Sequence, residues 1–144
     1  MNVEIREPRT EKEFEEYYDL RWRILRAPWG QPRGSERDGL ENESIHLAAF
    51  AGKKIIGCGR IHFNSGEEAQ IRYMAVDKRF QKKGVGRRIL KELEKKAMKN
   101  GAKQIVLNAR ESAVGFYESR GYKIIGEAHK LFGVIPHFKM LKKP

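Results

Sequence analysis

The strongest constraint on the fold of this chain is a strand, a glycine turn, an amphipathic helix and a second strand in direct succession. The first strand is expected at Ala69–Val76 and the second at Gln104–Ala109. Between them, Gly84–Asn100 carries an apolar stripe of helical spacing, which consists of Val85, Ile89, Leu93 and Ala97. A helix that crosses between two strands of one sheet makes those strands parallel. This unit therefore predicts a parallel pair inside a mixed α/β sheet.

The remaining segments predict further strands and helices. They are a strand Val3–Arg6, a helix from Thr10 to Pro28, hairpin strands Ile45–Phe50 and Lys54–Phe63, a short helix Ser112–Ser119, and final strands Tyr122–Gly126 and Val134–Leu141. The 144 residues contain no linker or repeat and have the length of one domain. We expect a single α/β domain over residues 1–144, in which about four helices flank a mostly antiparallel sheet of about seven strands.

The net charge of +11 is concentrated in the second half of the chain. Residues 1–72 carry 12 Lys and Arg against 13 Asp and Glu, whereas residues 73–144 carry 18 against 6. Most of the excess lies between Lys78 and Lys103, around the glycine turn. Such a surface favours a polyanionic ligand, either a nucleotide-like cofactor or a nucleic acid.

The turn itself, Gln81-Lys82-Lys83-Gly84-Val85-Gly86, predicts a phosphate site. Its glycines allow a close approach of the backbone, and the first amides of the following helix point at an anion. The Walker motif is excluded because Arg87 follows Gly86, and the dinucleotide motif because Ile89 stands where a third glycine is needed.

This turn resembles the coenzyme A pyrophosphate loop of the GNAT acyltransferases, whose pattern is Gln/Arg-x-x-Gly-x-Gly/Ala. A second segment, Ala113–Tyr122, resembles the late motif of that family, Ala-x-x-x-Tyr-Glu-x-x-Gly-Phe. The two occur in the expected order, joined by the expected helix and strand. The resemblance implies that the parallel pair is splayed and that acetyl-CoA lies in the gap, from which an acetyl group passes directly to a primary amine of a small molecule or peptide.

The resemblance also implies a set of residues that bind acetyl-CoA. Backbone groups of the fourth strand would hold the pantetheine arm, the turn would hold the pyrophosphate, and basic side chains would hold the outer phosphates. These residues are Met74, Ala75, Val76, Gln81, Lys82, Lys83, Gly84, Val85, Gly86, Arg87 and Arg88. The chain departs from the family at Arg110, where the common pattern has a cofactor-binding Asn; Asn108 stands two residues earlier, and either residue is a candidate contact of the pantetheine or the substrate.

For catalysis, the resemblance assigns Tyr117 as the general acid that protonates the departing CoA thiolate. The general base is open, because Gln70 stands where some members carry a glutamate. Glu68, on the same strand face as Gln70, and His137, in the last strand, are the candidates, each acting through water. The ordinary alternatives are a surface charge for Glu68 and a strand residue for His137.

The acceptor side is expected to include Trp29, Gln70, Arg72 and His137. Arg72 shares a strand face with Gln70, which would suit an acceptor that carries a carboxylate. The segment Trp29–Asp38 is either a substrate loop or a plain connection between elements.

Several other classes are disfavoured. The four histidines and the single Cys58 show no metal-ligand spacing, so no metal is expected. No apolar run is long enough for a membrane, and the charged start Met1–Thr10 is unlike a signal peptide, so we expect a cytoplasmic protein with no membrane contact. A nucleic-acid-binding module lacks a recognisable motif. A CoA-binding sensor with the same fold and a homodimer both stay open.

Overall fold

The computed structural model describes residues 2–144, which form seven strands and three α-helices. The strands are β1 (Val3–Arg6), β2 (Ile45–Ala51), β3 (Lys54–Phe63), β4 (Glu68–Val76), β5 (Gln104–Arg110), β6 (Lys123–Glu127) and β7 (His137–Lys142). The helices are α1 (Glu11–Leu25), α2 (Val85–Lys99) and α3 (Val114–Glu118), and four single 3-10 turns lie between the elements.

The sheet has the order β1-β2-β3-β4-β5-β7-β6, and its central pair β4–β5 is parallel while the other neighbours are antiparallel. The predicted mixed α/β sheet and its parallel pair are therefore confirmed. The three α-helices are close to the expected number of about four. One boundary was wrong: the last strand begins at His137, and not at Val134, because Gly133 has φ +73° and Pro136 lacks an amide hydrogen.

Apolar clusters cover both faces of the sheet. The stripe of α2 packs on one face, and Tyr17 and Leu20 of α1 pack on the other. The α2 contact is close at β3, where a Cβ atom added to Gly57 or Gly59 would lie 2.8 Å from a side-chain carbon of α2. Glycine at these two positions therefore allows the helix to approach the sheet.

The parallel ladder between β4 and β5 is short. It runs from the pair Glu68–Gln104 to the pair Ile71–Leu107 and then stops, although β4 continues to Val76. On the other side of β4, the register with β3 shifts near Tyr73, whose φ of 61° is left-handed. The bulge turns the end of β4 away from β5 and leaves a gap between the two strands.

A buried ionic network fixes the connection between α1 and β2 to the sheet. Arg21 of α1 and Arg60 of β3 are both 0% exposed. The carboxylate of Glu41 accepts hydrogen bonds from both guanidinium groups, at 3.0 Å from Arg21 and 2.9 Å from Arg60. Asp38 accepts from Arg60 at 2.6 Å and from Arg72 of β4 at 2.8 Å. These two carboxylates therefore tie the connecting segment to two strands and a helix.

We expect Glu41→Gln to lower the free energy of unfolding by about 3 kcal/mol, because it leaves two buried guanidinium charges under-compensated. Urea unfolding at neutral pH measures the change. Glu43→Gln, an exposed position of the same turn, is the matched control and should change stability by less than about 0.5 kcal/mol. Equal midpoints for the two variants would contradict the structural role of Glu41.

Candidate active site

The predicted phosphate turn lies at the end of β4 and leads into α2. The side-chain amide of Gln81 donates to the carbonyl of Val76 at 2.9 Å, which fixes the turn to the strand. Gly84 is the N-cap residue of α2 with φ +83°, and no side chain caps the helix. Because first-turn amides have no partner within a helix, those of Val85, Gly86 and Arg87 are available to an anion.

Four basic residues surround this helix start. Lys82, Lys83, Arg87 and Arg88 are exposed, and none of them forms an ion pair with another of residues 2–144. Exposed lysine and arginine side chains without acidic neighbours raise the positive potential at the helix start. The local arrangement fits a ligand with several phosphates.

A cavity of about 280 Å³ lies in the gap between β4 and β5. Seven of the residues predicted for the site line it: Gln70, Arg72, Met74, Asn108, Arg110, Tyr117 and His137. The cavity therefore brings together residues from β4, β5, α3 and β7 that are distant in the sequence. Of the other β4 residues, Ala75 is buried on the α1 face, and Val76 lies beside the phosphate turn.

Tyr117 is 8% exposed and packs edge-on against the rings of Phe116 and Tyr122. Burial raises the pKa of its hydroxyl, so the group stays protonated at neutral pH. The hydroxyl forms no hydrogen bond with residues 2–144, and Tyr117 is one of the residues that line the cavity. It is therefore a protonated donor without a competing acceptor.

His137 has one ring nitrogen engaged and one free. Its Nδ1 lies 2.9 Å from the carbonyl oxygen of Ile135. Because a carbonyl can only accept, Nδ1 carries the hydrogen, and the lone pair of the neutral ring is on Nε2. Burial lowers the pKa of His137 and the nearby charges of Arg110 and Arg26 lower it further, which outweighs the hydrogen bond to Ile135 that raises it. The ring is therefore neutral at pH 7 and can accept a proton.

Two predicted residues lie outside the cavity wall. Glu68 accepts hydrogen bonds from Asn64 at 2.8 Å and from Gln104 at 2.6 Å, and these bonds lower its carboxyl pKa. A carboxylate held in this way is a weak proton acceptor. Trp29 is 41% exposed in a 3-10 turn after α1 and does not line the cavity. The structure thus brings His137, and neither of these two, beside Tyr117.

The cavity also contains residues that sequence reasoning missed. Arg26, Tyr73, His129 and Leu131 line it. Arg26 follows α1, and His129 stacks on His137 with ring centroids 5.5 Å apart. No motif marks these positions. The one available signal was the aromatic and basic content of the segment before β7.

Comparisons with known proteins agree with this arrangement. The sequence profile of the acetyltransferase (GNAT) family matches residues 14–122. The uncharacterized N-acetyltransferase YjcF of Bacillus subtilis (strain 168) is 34% identical over 134 residues, which cover 93% of this chain and 95% of the relative.

Solved structures show the same fold at low identity. A putative N-acetyltransferase from Lactobacillus plantarum superposes with a TM-score of 0.86 at 18% identity over 99% of both chains. The PaiA N-acetyltransferase from Thermoplasma acidophilum, in complex with coenzyme A, superposes with a TM-score of 0.80 at 19% identity over 100% of both chains.

No group of His, Cys, Asp and Glu residues within 2–144 is arranged to hold a metal ion. No helix in the same range has the length and apolarity needed to cross a membrane. The profile match over more than half of the sequence, together with the relative at 34% identity, shows that the chain belongs to the GNAT family of acetyltransferases.

Proposed function

We propose that this protein transfers an acetyl group from acetyl-CoA directly to a primary amine. One observation carries the proposal: the end of β4, which has no partner on its β5 side, connects an uncapped, basic helix start with a cavity that is lined by a protonated tyrosine and a neutral histidine. The first feature suits a phosphate-bearing donor, and the second suits acyl transfer to an amine. The coenzyme A bound to a structural neighbour, PaiA, supports the choice of donor.

Different segments of the chain would bind different parts of acetyl-CoA. Beyond Ile71, the backbone of β4 has no partner on β5, so its groups on that side are open to the amides of the pantetheine arm, except the carbonyl of Val76, which accepts from Gln81. The first-turn amides of α2 would hold the pyrophosphate, and the basic residues around them would bind the outer phosphates. A backbone amide of β4 would stabilise the thioester oxygen as it gains negative charge.

Tyr117 and His137 would then act as proton donor and proton acceptor. The amine nitrogen attacks the thioester carbonyl carbon, and a new C–N bond forms while the C–S bond breaks. His137 accepts the proton that leaves the nitrogen, directly or through water, at Nε2. Tyr117 donates its hydroxyl proton to the departing sulfur, which gives free CoA and an N-acetylated amine. Exchange with solvent restores both side chains.

Direct transfer is favoured because the chain offers no nucleophile for an acyl-enzyme. Cys58 is 0% exposed, and burial raises the pKa of its thiol to about 11. The Sγ atom lies 3.2 Å from the carbonyl of Tyr73 in the cluster beneath α1, and Cys58 does not line the cavity. A buried thiol without a base is a poor nucleophile.

We expect Tyr117→Phe to lower kcat by about 10²-fold or more while the Kd for acetyl-CoA stays nearly unchanged, because the variant loses only the proton donor. CoA release from a panel of primary amines measures the rate. Tyr122→Phe, which removes another buried hydroxyl that does not line the cavity, is the matched control. An unchanged rate in Tyr117→Phe would remove the proposed acid, and acetyl-CoA binding without turnover of any amine would favour a sensor.

We expect Gly84→Asp to abolish acetyl-CoA binding, because a carboxylate at the helix start repels phosphate. The added Cβ would meet only the Nη2 atom of Arg87, at 3.6 Å, so the protein itself has space for it. Gly52→Asp controls for the cost of a positive φ, since Gly52 has φ +63° in a distant hairpin with no neighbour within 4 Å. Calorimetry should give wild-type affinity for the control; retained affinity in Gly84→Asp would mean that phosphate binds elsewhere.

We expect kcat to rise with pH along a limb whose pKa lies below about 6.5, the ordinary value for histidine. The sign follows from the lowered pKa of His137: its base form is lost when the pH falls through that lowered value, so the base form predominates at pH 7. His137→Gln should lose this limb and about 10²-fold in rate. The same limb in the variant would assign the proton transfer to another group.

A further inference from the structure

The cavity is lined by basic residues and by no acidic residue. Three arginines line the cavity, Arg26, Arg72 and Arg110, together with two histidines. Arg72 has a counter-ion, because Asp38 accepts from its Nη1 at 2.8 Å. The other two arginines have no carboxylate within ion-pair distance among residues 2–144.

Arg26 is the more unusual of the two, because it is 6% exposed. Its Nε donates to the carbonyl of Ser35 at 2.9 Å and its Nη1 to the carbonyl of Leu25 at 3.2 Å. These bonds orient the guanidinium group, but they leave its charge without a counter-ion. Burying an uncompensated charge is destabilising, and a ligand that supplies the opposite charge removes this cost.

Arg110 lies at the end of β5, opposite His137 in the neighbouring strand. Its side chain forms no hydrogen bond with residues 2–144, and its partial burial lowers the pKa of the guanidinium group. Burial lowers the pKa of Arg26, and the charges of Arg72 and Arg110, which line the same cavity, lower it further. Together, Arg26 and Arg110 form a site of two unmatched positive charges beside the proposed catalytic pair.

Acetyl-CoA would not supply the missing negative charge at this place. Its phosphates belong to the helix start after β4, and the pantetheine arm and acetyl group are neutral. We propose that the amine acceptor carries an anionic group, a carboxylate or a phosphate, which binds between Arg26 and Arg110 while its amine lies at His137. This inference rests on the proposed function and specifies the substrate class of the same site.

The positive wall has a second effect, on the amine itself. Nearby positive charges disfavour an ammonium ion and favour the neutral amine that must attack the thioester. In an acceptor with an anionic group, the arginines attract the anionic group, and the positive wall favours loss of a proton from the ammonium group. A polycationic amine gains no such attraction, and the wall repels its remaining charges.

Matched pairs of amines test the proposal: glycine against glycinamide, and O-phosphoethanolamine against ethanolamine, with spermidine as the polycation. CoA release gives kcat/KM for each. We expect at least a ten-fold preference for the anionic member of a pair and poor turnover of spermidine. Equal or better turnover of the neutral or cationic amines would overturn the anion site while the proposed acetyl transfer stands.

Variants of Arg110 show whether the preference originates in the cavity. Arg110→Gln should raise KM for the anionic amine at least ten-fold and leave KM for acetyl-CoA unchanged, whereas Arg110→Lys, which keeps the charge, should recover part of the loss. Arg9→Gln, at an exposed position without an ion pair, is the control and should match the wild type. A change in the acetyl-CoA KM alone would instead place Arg110 on the donor and overturn its assignment to the acceptor.

A binding measurement separates this proposal from the proposed function. Protein saturated with CoA, so that the phosphate turn is filled, is titrated with inorganic phosphate by calorimetry. We expect millimolar binding that is weakened at least ten-fold in Arg110→Gln. No binding to the CoA complex would overturn the anion site, and failure to bind CoA at all would overturn the proposed function instead.

Turnover with succinyl-CoA tests whether the anion belongs to the acyl group. If turnover is faster with succinyl-CoA than with acetyl-CoA, and if Arg110→Gln loses this difference, the anion is part of the acyl group and its assignment to the acceptor is overturned.

Discussion

The site depends on the early end of the parallel ladder between β4 and β5. Because pairing stops at the level of Ile71 and Leu107, β4 continues with backbone groups that no strand satisfies. Buried backbone groups need partners, so the gap suits an extended, amide-bearing ligand. The bulge at Tyr73 maintains the separation. The turn into α2 follows the end of β4, and the cavity is lined by residues of β4 and β5, so both border this one opening.

The two sides of the opening are built from different interactions. The proposed donor side is local: β4, the glycine turn and α2 follow one another along the chain. The proposed acceptor side is assembled from distant segments, and buried ion pairs of Glu41 and Asp38 hold the connection after α1 in place. Stability of the fold and shape of the acceptor side are therefore coupled through the same carboxylates.

This difference explains how much could be predicted from the sequence. The order of the elements, the parallel pair and the phosphate turn follow from neighbouring residues and their periodicity. Arg26 and His129 escaped prediction because their roles depend on which segments meet across the sheet, and no motif encodes that meeting. For the same reason, the sequence alone could not distinguish between Glu68 and His137 as candidates for the general base. The start of β7 was misplaced because the apolar Val134 and Ile135 belong to a turn closed by Leu131, and not to the strand.

Asp38 occupies an informative position in this arrangement. It neutralises Arg72 while also bonding to Arg60, yet it does not itself line the cavity. The number of free positive charges that an acceptor meets is thus set by a carboxylate that the acceptor need not touch. Relatives with the same cavity shape can therefore prefer substrates of different charge if they differ at the position of Asp38, which does not line the cavity. The residues that line the cavity are thus an incomplete guide to substrate specificity in this family.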